Sequence, residues 1–190
     1  EAVLAKGVWL KKDGLDTQAF PKTDLSVFGE LAMDFELHEG DFQFSMPIGI
    51  EMVNDVITKP YSVKSQGQHD LPADHDESYL MLVDRHGKWR INTMIKGFAT
   101  HVKGFASSYS NTGDIILIGK SMKEMMHAFK ELKQMNGGIV LVEDGQVVVK
   151  IPLTLGGSVY DGNVSALIPL EVELKEALKQ RGYHHSDAIY

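Results

Sequence analysis

The chain contains no cysteine among its 190 residues. It therefore forms no disulfide and offers no thiolate to a metal, which fits a reducing compartment such as the cytoplasm. No apolar run approaches the roughly 20 residues that span a bilayer. The first residues also lack the charged-then-apolar order of a signal peptide. These features predict a cytoplasmic protein that is not bound to a membrane.

Positive charge is scarce in the chain and is not clustered. Lys and Arg number 19 against 26 Asp and Glu, which gives a net charge of −7. Binding to nucleic acid depends on clustered Lys and Arg that neutralise phosphates. The charge balance therefore predicts no nucleic-acid partner.

Several catalytic and nucleotide-binding motifs are missing as well. There is no Gly-x-Ser-x-Gly elbow for a hydrolase nucleophile, and no Gly-rich order typical of a phosphate loop. The glycines that stand out are predicted to serve turns and helix ends instead: Gly104, Gly137, Gly138, Gly156 and Gly157.

Short strand-like patterns dominate the chain. Val3-Leu4 and Val8 to Leu10 predict an N-terminal β-hairpin, and Met33, Phe35 and Leu37 alternate with polar residues like a half-buried strand. Further strands are predicted over 79–84, 89–94 and 115–118, and a hairpin over 139–151 turns at Asp144-Gly145.

Two helices are predicted among these strands. The first follows Ser121, whose spacing to Glu124 matches a capping box. Its apolar stripe consists of Met122, Met125, Met126, Phe129 and Leu132. The second is predicted over 169–181, with Val172, Leu174 and Leu178 facing inward. Together these elements predict an α+β fold, a largely antiparallel sheet with a few helices packed on one face.

One polar segment is dense in possible metal ligands. His69-Asp70 and Asp74 to Asp76 bring imidazoles and carboxylates close together, and such groups suit zinc or another transition metal. The spacing matches no known motif, so a solvated loop is the competing interpretation. Asp84 to Gly87 leaves a similar choice between an ion pair at a site and an exposed turn.

A longer order of elements carries a family resemblance. Gly104 to Ser110 (GFASSYS), Asp114 to Ser121 (DIILIGKS), the Met-rich helix and Gly137 to Gly157 follow one another in the chain. This order resembles the C-terminal domain of the prokaryotic adenine deaminases of the amidohydrolase superfamily. The resemblance is best from Tyr79 to Tyr160 and places the chain in a divergent, adenine-deaminase-like branch.

The resemblance implies a division of labour within a longer protein. In that family a barrel domain holds a catalytic divalent metal (Mn, Fe or Zn), and a small β-domain and a C-terminal domain pack beside it. Residues 1–22 are similar to strands that return to the small β-domain, and 23–190 to a C-terminal domain that is truncated at its end. The start at Glu1 and the end at Tyr190 fit such a fragment. We therefore expect no catalytic residue and no metal ligand in this chain. The expected partners are the missing barrel, a purine substrate and a second copy of the protein in a homo-oligomer.

The segment after Ser108 departs from the family pattern. Typical members carry a His-Asp-Ser-His-Asn run after the Ala-Ser-Ser element, whereas this chain has Tyr109 to Asp114 without a histidine. Hydroxyls and amides can donate and accept hydrogen bonds, but they are not bases near pH 7. The substrate-orienting candidates are the hydroxyls of Ser107, Ser108 and Ser110, the amide of Asn111 and the carboxylate of Asp114.

Two functions remain open at this point. The chain is either the C-terminal part of an enzyme that converts adenine to hypoxanthine and ammonia, or a non-catalytic packing or oligomerisation module that has lost the adenine site. The missing histidine run favours the second function, and the preserved framework is compatible with both.

Overall fold

The computed structural model describes residues 2–6, 8–12, 24–64 and 69–186. Within these ranges the chain forms ten strands and two α-helices. The strands are β1 Ala2–Ala5, β2 Val8–Lys12, β3 Ile48–Met52, β4 Thr58–Ser62, β5 Glu77–Val83, β6 Arg90–Lys96, β7 Gly104–Ser107, β8 Ile115–Gly119, β9 Gly138–Glu143 and β10 Gln146–Pro152. The helices are α1 Met122–Gln134 and α2 Val164–Gln180. Neither helix is long and apolar enough to cross a membrane.

Eight strands form one open sheet in the order β10-β9-β7-β8-β5-β6-β3-β4. Every neighbouring pair is antiparallel except β3 and β6, which are parallel. The predicted α+β class with a largely antiparallel sheet is therefore confirmed. The hairpin predicted over 139–151 is the β9–β10 pair at one end of the sheet.

The N-terminal hairpin is also confirmed. β1 and β2 pair antiparallel in a two-stranded sheet of their own. An isolated hairpin is at best marginally stable in water, so a pair like this normally needs further strands or a packing partner. Residues 13–22 of the predicted 1–22 segment lie outside the described residues.

The two helices cover opposite faces of the sheet, which corrects the expectation of helices on one face. Tyr79 and Met81 of β5 point into a core with Phe129 of α1. Leu80, between them in sequence, belongs to a second core with Leu174 of α2. Because successive side chains of a strand point to opposite faces, both faces of β5 are buried. A mostly apolar run such as YLML predicts that burial but not which helix covers which face.

Helix α1 begins as the sequence predicts, with one difference at its first turn. The Ser121 hydroxyl accepts a hydrogen bond from the Glu124 backbone N–H. The Glu124 carboxylate does not complete a capping box; it accepts from the backbone N–H of Gly145, at 3.1 and 3.2 Å, in the β9–β10 turn. The Met stripe is a core face, since Met125 is fully buried and Met122 and Met126 pack against the same cluster.

Helix α2 starts earlier than predicted. Asn163 caps it through its side chain, which accepts from the Ser165 N–H at 2.9 Å, so Pro169 lies inside the helix and not at its start. Leu174 and Leu178 are buried as expected. Val172 was predicted to face inward but is 48% exposed. In the first two turns, Leu167 and Leu170 pack against the second core and are partly buried.

The segment before β3 keeps the predicted burial but not the predicted strand. Leu31, Met33 and Leu37 are buried and alternate with exposed residues. The residues between 29 and 38 have no strand assignment, so this stretch covers the α1 core as an extended chain. Alternation reports which side chains are buried, and it does not report whether the backbone finds a strand partner.

Gly104 has a different role from the predicted turn. It lies in β7, directly under α1, where an added Cβ would lie 2.3 Å from the backbone carbonyl carbon and oxygen of Glu124. The chain leaves α1 through Asn136, whose φ of +59° is the left-handed conformation typical of a helix end; Gly137 follows with φ of +109°, and Gly138 already begins β9.

Candidate functional site

Most of the predicted site residues lie on the side of the sheet where β5 and β7 end and β8 and β9 begin, and this side is called the edge below. Ser107, the last residue of β7, pairs with Ile116 near the start of β8 and with Ile139 near the start of β9. β5 ends at the same edge, because Val83 pairs with Ile115. The turn at 108–114 therefore lies beside the β5–β6 turn and the loop that follows β10.

Ser107 and Ser108 are buried and bonded to backbone atoms. The Ser108 hydroxyl donates to the carbonyl of Gly157 and accepts from the Gly138 N–H at 2.8 Å. The Ser107 hydroxyl accepts from the Tyr109 N–H at 3.1 Å. Ser108 has no exposed surface, so it joins β7, β9 and the 153–160 loop from inside the fold.

Ser110, Asn111 and Asp114 lie in the turn itself, closer to solvent. The Ser110 and Thr112 hydroxyls are 2.9 Å apart, and the Gly113 N–H donates to the Ser110 carbonyl at 3.1 Å. Asn111 is exposed, whereas Ser110 and Asp114 are half-buried. The structure thus divides the five candidates into two that are buried within the fold and three that are partly or fully open to solvent.

Arg85 belongs to this edge, and it comes from the 84–87 segment for which the sequence left open a site ion pair or an exposed turn. Its Nε donates to the carbonyl of Gly113, and its Nη1 donates to the carbonyl of Gly156 at 3.2 Å. The neighbouring Asp84 carboxylate accepts from the backbone of His86, as expected for an ordinary turn. The fixed guanidinium ties the 108–114 turn to the 153–160 loop. The sequence signal for this role was the position of Arg85 directly after a buried strand.

A groove of about 590 Å³ opens next to this turn. Tyr109 forms one wall, Ile139 and Leu153 line it from the sheet side, and Leu167 lines it from α2. Glu171 is the charged residue among the side chains that line it. The groove is therefore an apolar concavity that starts at the candidate site and runs along α2.

The predicted metal-ligand loop is engaged in internal contacts. Ligand atoms of His75, Asp76 and Glu77 lie within 4.8 Å of one another. However, the His75 Nδ1 accepts from the Glu77 N–H at 3.0 Å, Asp76 pairs with Lys96 at 2.8 Å, and the Glu77 carboxylate accepts from the backbone N–H of Lys64 at 3.0 Å. A group whose atoms are already bonded in this way does not fit a catalytic metal, and the solvated-loop interpretation suits His69 and Asp70, which are exposed.

Lys120 is a buried cation near the same loop, at the sheet edge opposite the candidate site. It is 3% exposed, and its Nζ donates to the backbone carbonyls of His75 and Glu77. Burial lowers the pKa of Lys120 to about 8, and the nearby carboxylates of Asp76 and Glu77 offset only part of that effect.

This lowered pKa predicts a pH-dependent stability. In the unfolded chain a lysine titrates near 10.4, so between about pH 8 and 10 the unfolded state binds more protons than the folded state. The free energy of unfolding should therefore rise with pH in that window. Relative to Lys120→Met, the gain should approach about 2–3 kcal/mol. Urea unfolding of both proteins from pH 7 to 10 measures it, and a constant difference between them would refute the assignment.

Comparisons with known proteins cover the whole chain. A family model described as the adenine deaminase C-terminal domain matches residues 54–190. The protein named "Putative adenine deaminase BH0637" from Halalkalibacterium halodurans is 48% identical over 193 residues, which is 100% of this chain and 33% of that protein. "Putative adenine deaminase YerA" from Bacillus subtilis is 46% identical over 191 residues, again 33% of its length. "Adenine deaminase" from Lactiplantibacillus plantarum is 24% identical over 185 residues. The chain spans about a third of the curated relatives it matches.

Proposed function

Because the chain belongs to the adenine deaminase C-terminal domain family, we propose that its parent protein hydrolyses adenine to hypoxanthine and ammonia. Water supplies the oxygen that replaces the exocyclic amino group at C6, and the nitrogen leaves as ammonia. The observation that carries the proposal is the 48% and 46% identity, along essentially the entire chain, to two relatives whose names begin "Putative adenine deaminase". For an enzyme of purine metabolism the cytoplasm is the proposed compartment.

The metal belongs to a different part of the parent in this proposal. We assign the divalent ion (Mn, Fe or Zn) to the barrel that lies outside this chain, because the one group of possible ligands among the described residues, His75 to Glu77, is occupied by internal contacts. Residues 1–22 would complete a small β-domain, and 23–190 would form the C-terminal domain beside the barrel.

The role of this chain is to supply one wall of the substrate pocket. The 108–114 turn presents Ser110, Asn111 and Asp114, which can hydrogen-bond the ring nitrogens or the amino group of a purine. Ser107 and Ser108 position that turn from inside the fold. The hydroxyl and amide groups of the turn are not bases near pH 7, so Ser110 and Asn111 orient substrate and do not move protons.

A second candidate function is a packing or oligomerisation module without catalytic duty. The observation in its favour is the Tyr109 to Asp114 segment, which has no histidine where typical members carry two. A homo-oligomer is a proposed assembly under either function. The two functions differ in whether the parent turns over adenine.

The test is ammonia release from adenine by the full-length protein loaded separately with Mn, Fe or Zn. We expect metal-dependent turnover with hypoxanthine as product, and background release from this chain alone under the same conditions. Full-length protein that binds metal and still leaves adenine unchanged would favour the packing module. Turnover by this chain alone, lost on substitution of one of its residues, would refute the division of labour.

A further inference from the structure

The first half of α2 presents an apolar stripe to solvent. Val164 is 68% exposed, Ile168 53% and Val172 48%. These residues are four positions apart, so they lie on one side of the helix. Exposed apolar side chains are ordinary when scattered, but a contiguous set marks an interaction surface.

The stripe continues into the groove that begins at the candidate site. Val164 belongs to both, and Val159, 54% exposed, and Tyr109, 43% exposed, extend the apolar area to the 108–114 turn. Here Tyr109, Val159, Val164, Ile168 and Val172, with the groove, are called the α2 surface. A large aromatic at the mouth of a pocket is a typical anchor point for a protein partner.

We propose that the α2 surface is where the catalytic part of the same polypeptide docks, so that the 108–114 turn faces its purine pocket. This inference rests on the proposed function. Relatives of this chain are about three times its length, so two thirds of the polypeptide is available to cover the surface. Tyr109 belongs both to the α2 surface and to the 108–114 turn, so a protein segment that occupies the groove also lies next to that turn.

The chemistry of the α2 surface restricts which kinds of partner can bind it. Among the described residues that line the groove, Glu171 is the charged one, so they offer no cluster of cations to nucleic acid or anionic lipid. A second copy of this chain on the same surface would lie against Tyr109 and separate the turn from the purine. The segment that holds the purine is therefore the occupant that leaves the turn functional.

The chain offers a matched control on a different element. Val56 lies in the β3–β4 connection and is 68% exposed, the same fraction as Val164. Aspartate at either position adds one charge. At Val164, the first residue of α2, a negative charge also favours the helix dipole. Val164→Asp should therefore leave the fold intact, and Val56→Asp is its partner substitution.

Photochemical carbene footprinting of the full-length protein tests the docking. We expect Val164 and Ile168 to be labelled about fivefold or more weakly than Val56, since the core of an interface excludes solvent. Val164→Asp should raise the labelling of Ile168, and Val56→Asp should leave it unchanged. The protection of Val164 and Ile168 from labelling should be the same at the lowest and highest protein concentrations.

Three results would overturn the proposal. Equal labelling of Val164 and Val56 would leave the α2 surface uncovered. Protection that disappears on dilution together with a fall in mass would assign the surface to a second copy. An unchanged footprint in Val164→Asp would show that the stripe contributes nothing to docking. Footprinting requires no turnover, so a full-length protein that fails to deaminate adenine would refute the proposed function without deciding this test.

Discussion

Gly104→Ala is expected to destabilise the fold by roughly 3 kcal/mol or more, the upper range for overpacking a dense core. Gly104 is buried in β7 under the first turn of α1, and the new Cβ would lie 2.3 Å from the backbone carbonyl of Glu124. A backbone atom cannot rotate away as a flexible side chain can, so the helix must shift. That shift would disturb Met125 and Phe129, which fill the core below it. Urea unfolding gives the free energy, and thermal unfolding should show a melting temperature lower by about 10 °C.

Gly40→Ala is the matched control for this substitution. An added Cβ at Gly40 meets nothing within 4 Å, and its φ lies outside the left-handed region. The variant should match the unmodified protein or slightly exceed it, since alanine restricts the unfolded chain. Equal melting temperatures for the Gly104 and Gly40 variants would contradict the close packing of α1 on β7.

Local periodicity predicted the parts of the fold whose partners are near in sequence. The Ser121 cap, the apolar stripe of α1 and the β9–β10 hairpin all depend on residues within a few positions of one another. The α+β class followed from many short strands joined by tight turns. The predicted and observed features agree because a helical period or a hairpin turn depends only on residues close together in the sequence.

The misses share a different cause, which is contact between residues far apart in the chain. The burial of Ser108 was not predicted, and its hydroxyl bonds Gly157, 49 positions away. Arg85 reaches Gly156, 71 positions away. Glu124 fitted a local capping box, but its carboxylate bonds Gly145 instead. The sequence pattern identifies polar residues, and only the sheet order decides which of them meet.

The assignment of roles within the 108–114 turn predicts a separation of activity from stability. In the full-length protein, Asn111→Ala should lower kcat/KM for adenine by roughly 5- to 100-fold, the cost of leaving a polar partner of the substrate unpaired. Its melting temperature should be unchanged, because the Asn111 side chain is exposed. Ser108→Ala should instead lower the free energy of unfolding by about 1–3 kcal/mol, since the Gly138 N–H and the Gly157 carbonyl lose their buried partner.

The most direct test of the account is kcat/KM for adenine in the full-length protein, compared between Asn111→Ala and Gln146→Ala. Gln146 is an exposed amide at the start of β10, where it pairs with Glu143 at the opposite edge of the sheet. We predict that the Asn111 variant loses at least about fivefold in kcat/KM at unchanged melting temperature, while the Gln146 variant retains full activity. Equal kcat/KM for both variants and the unmodified enzyme would contradict the claim that this edge of the chain faces the purine.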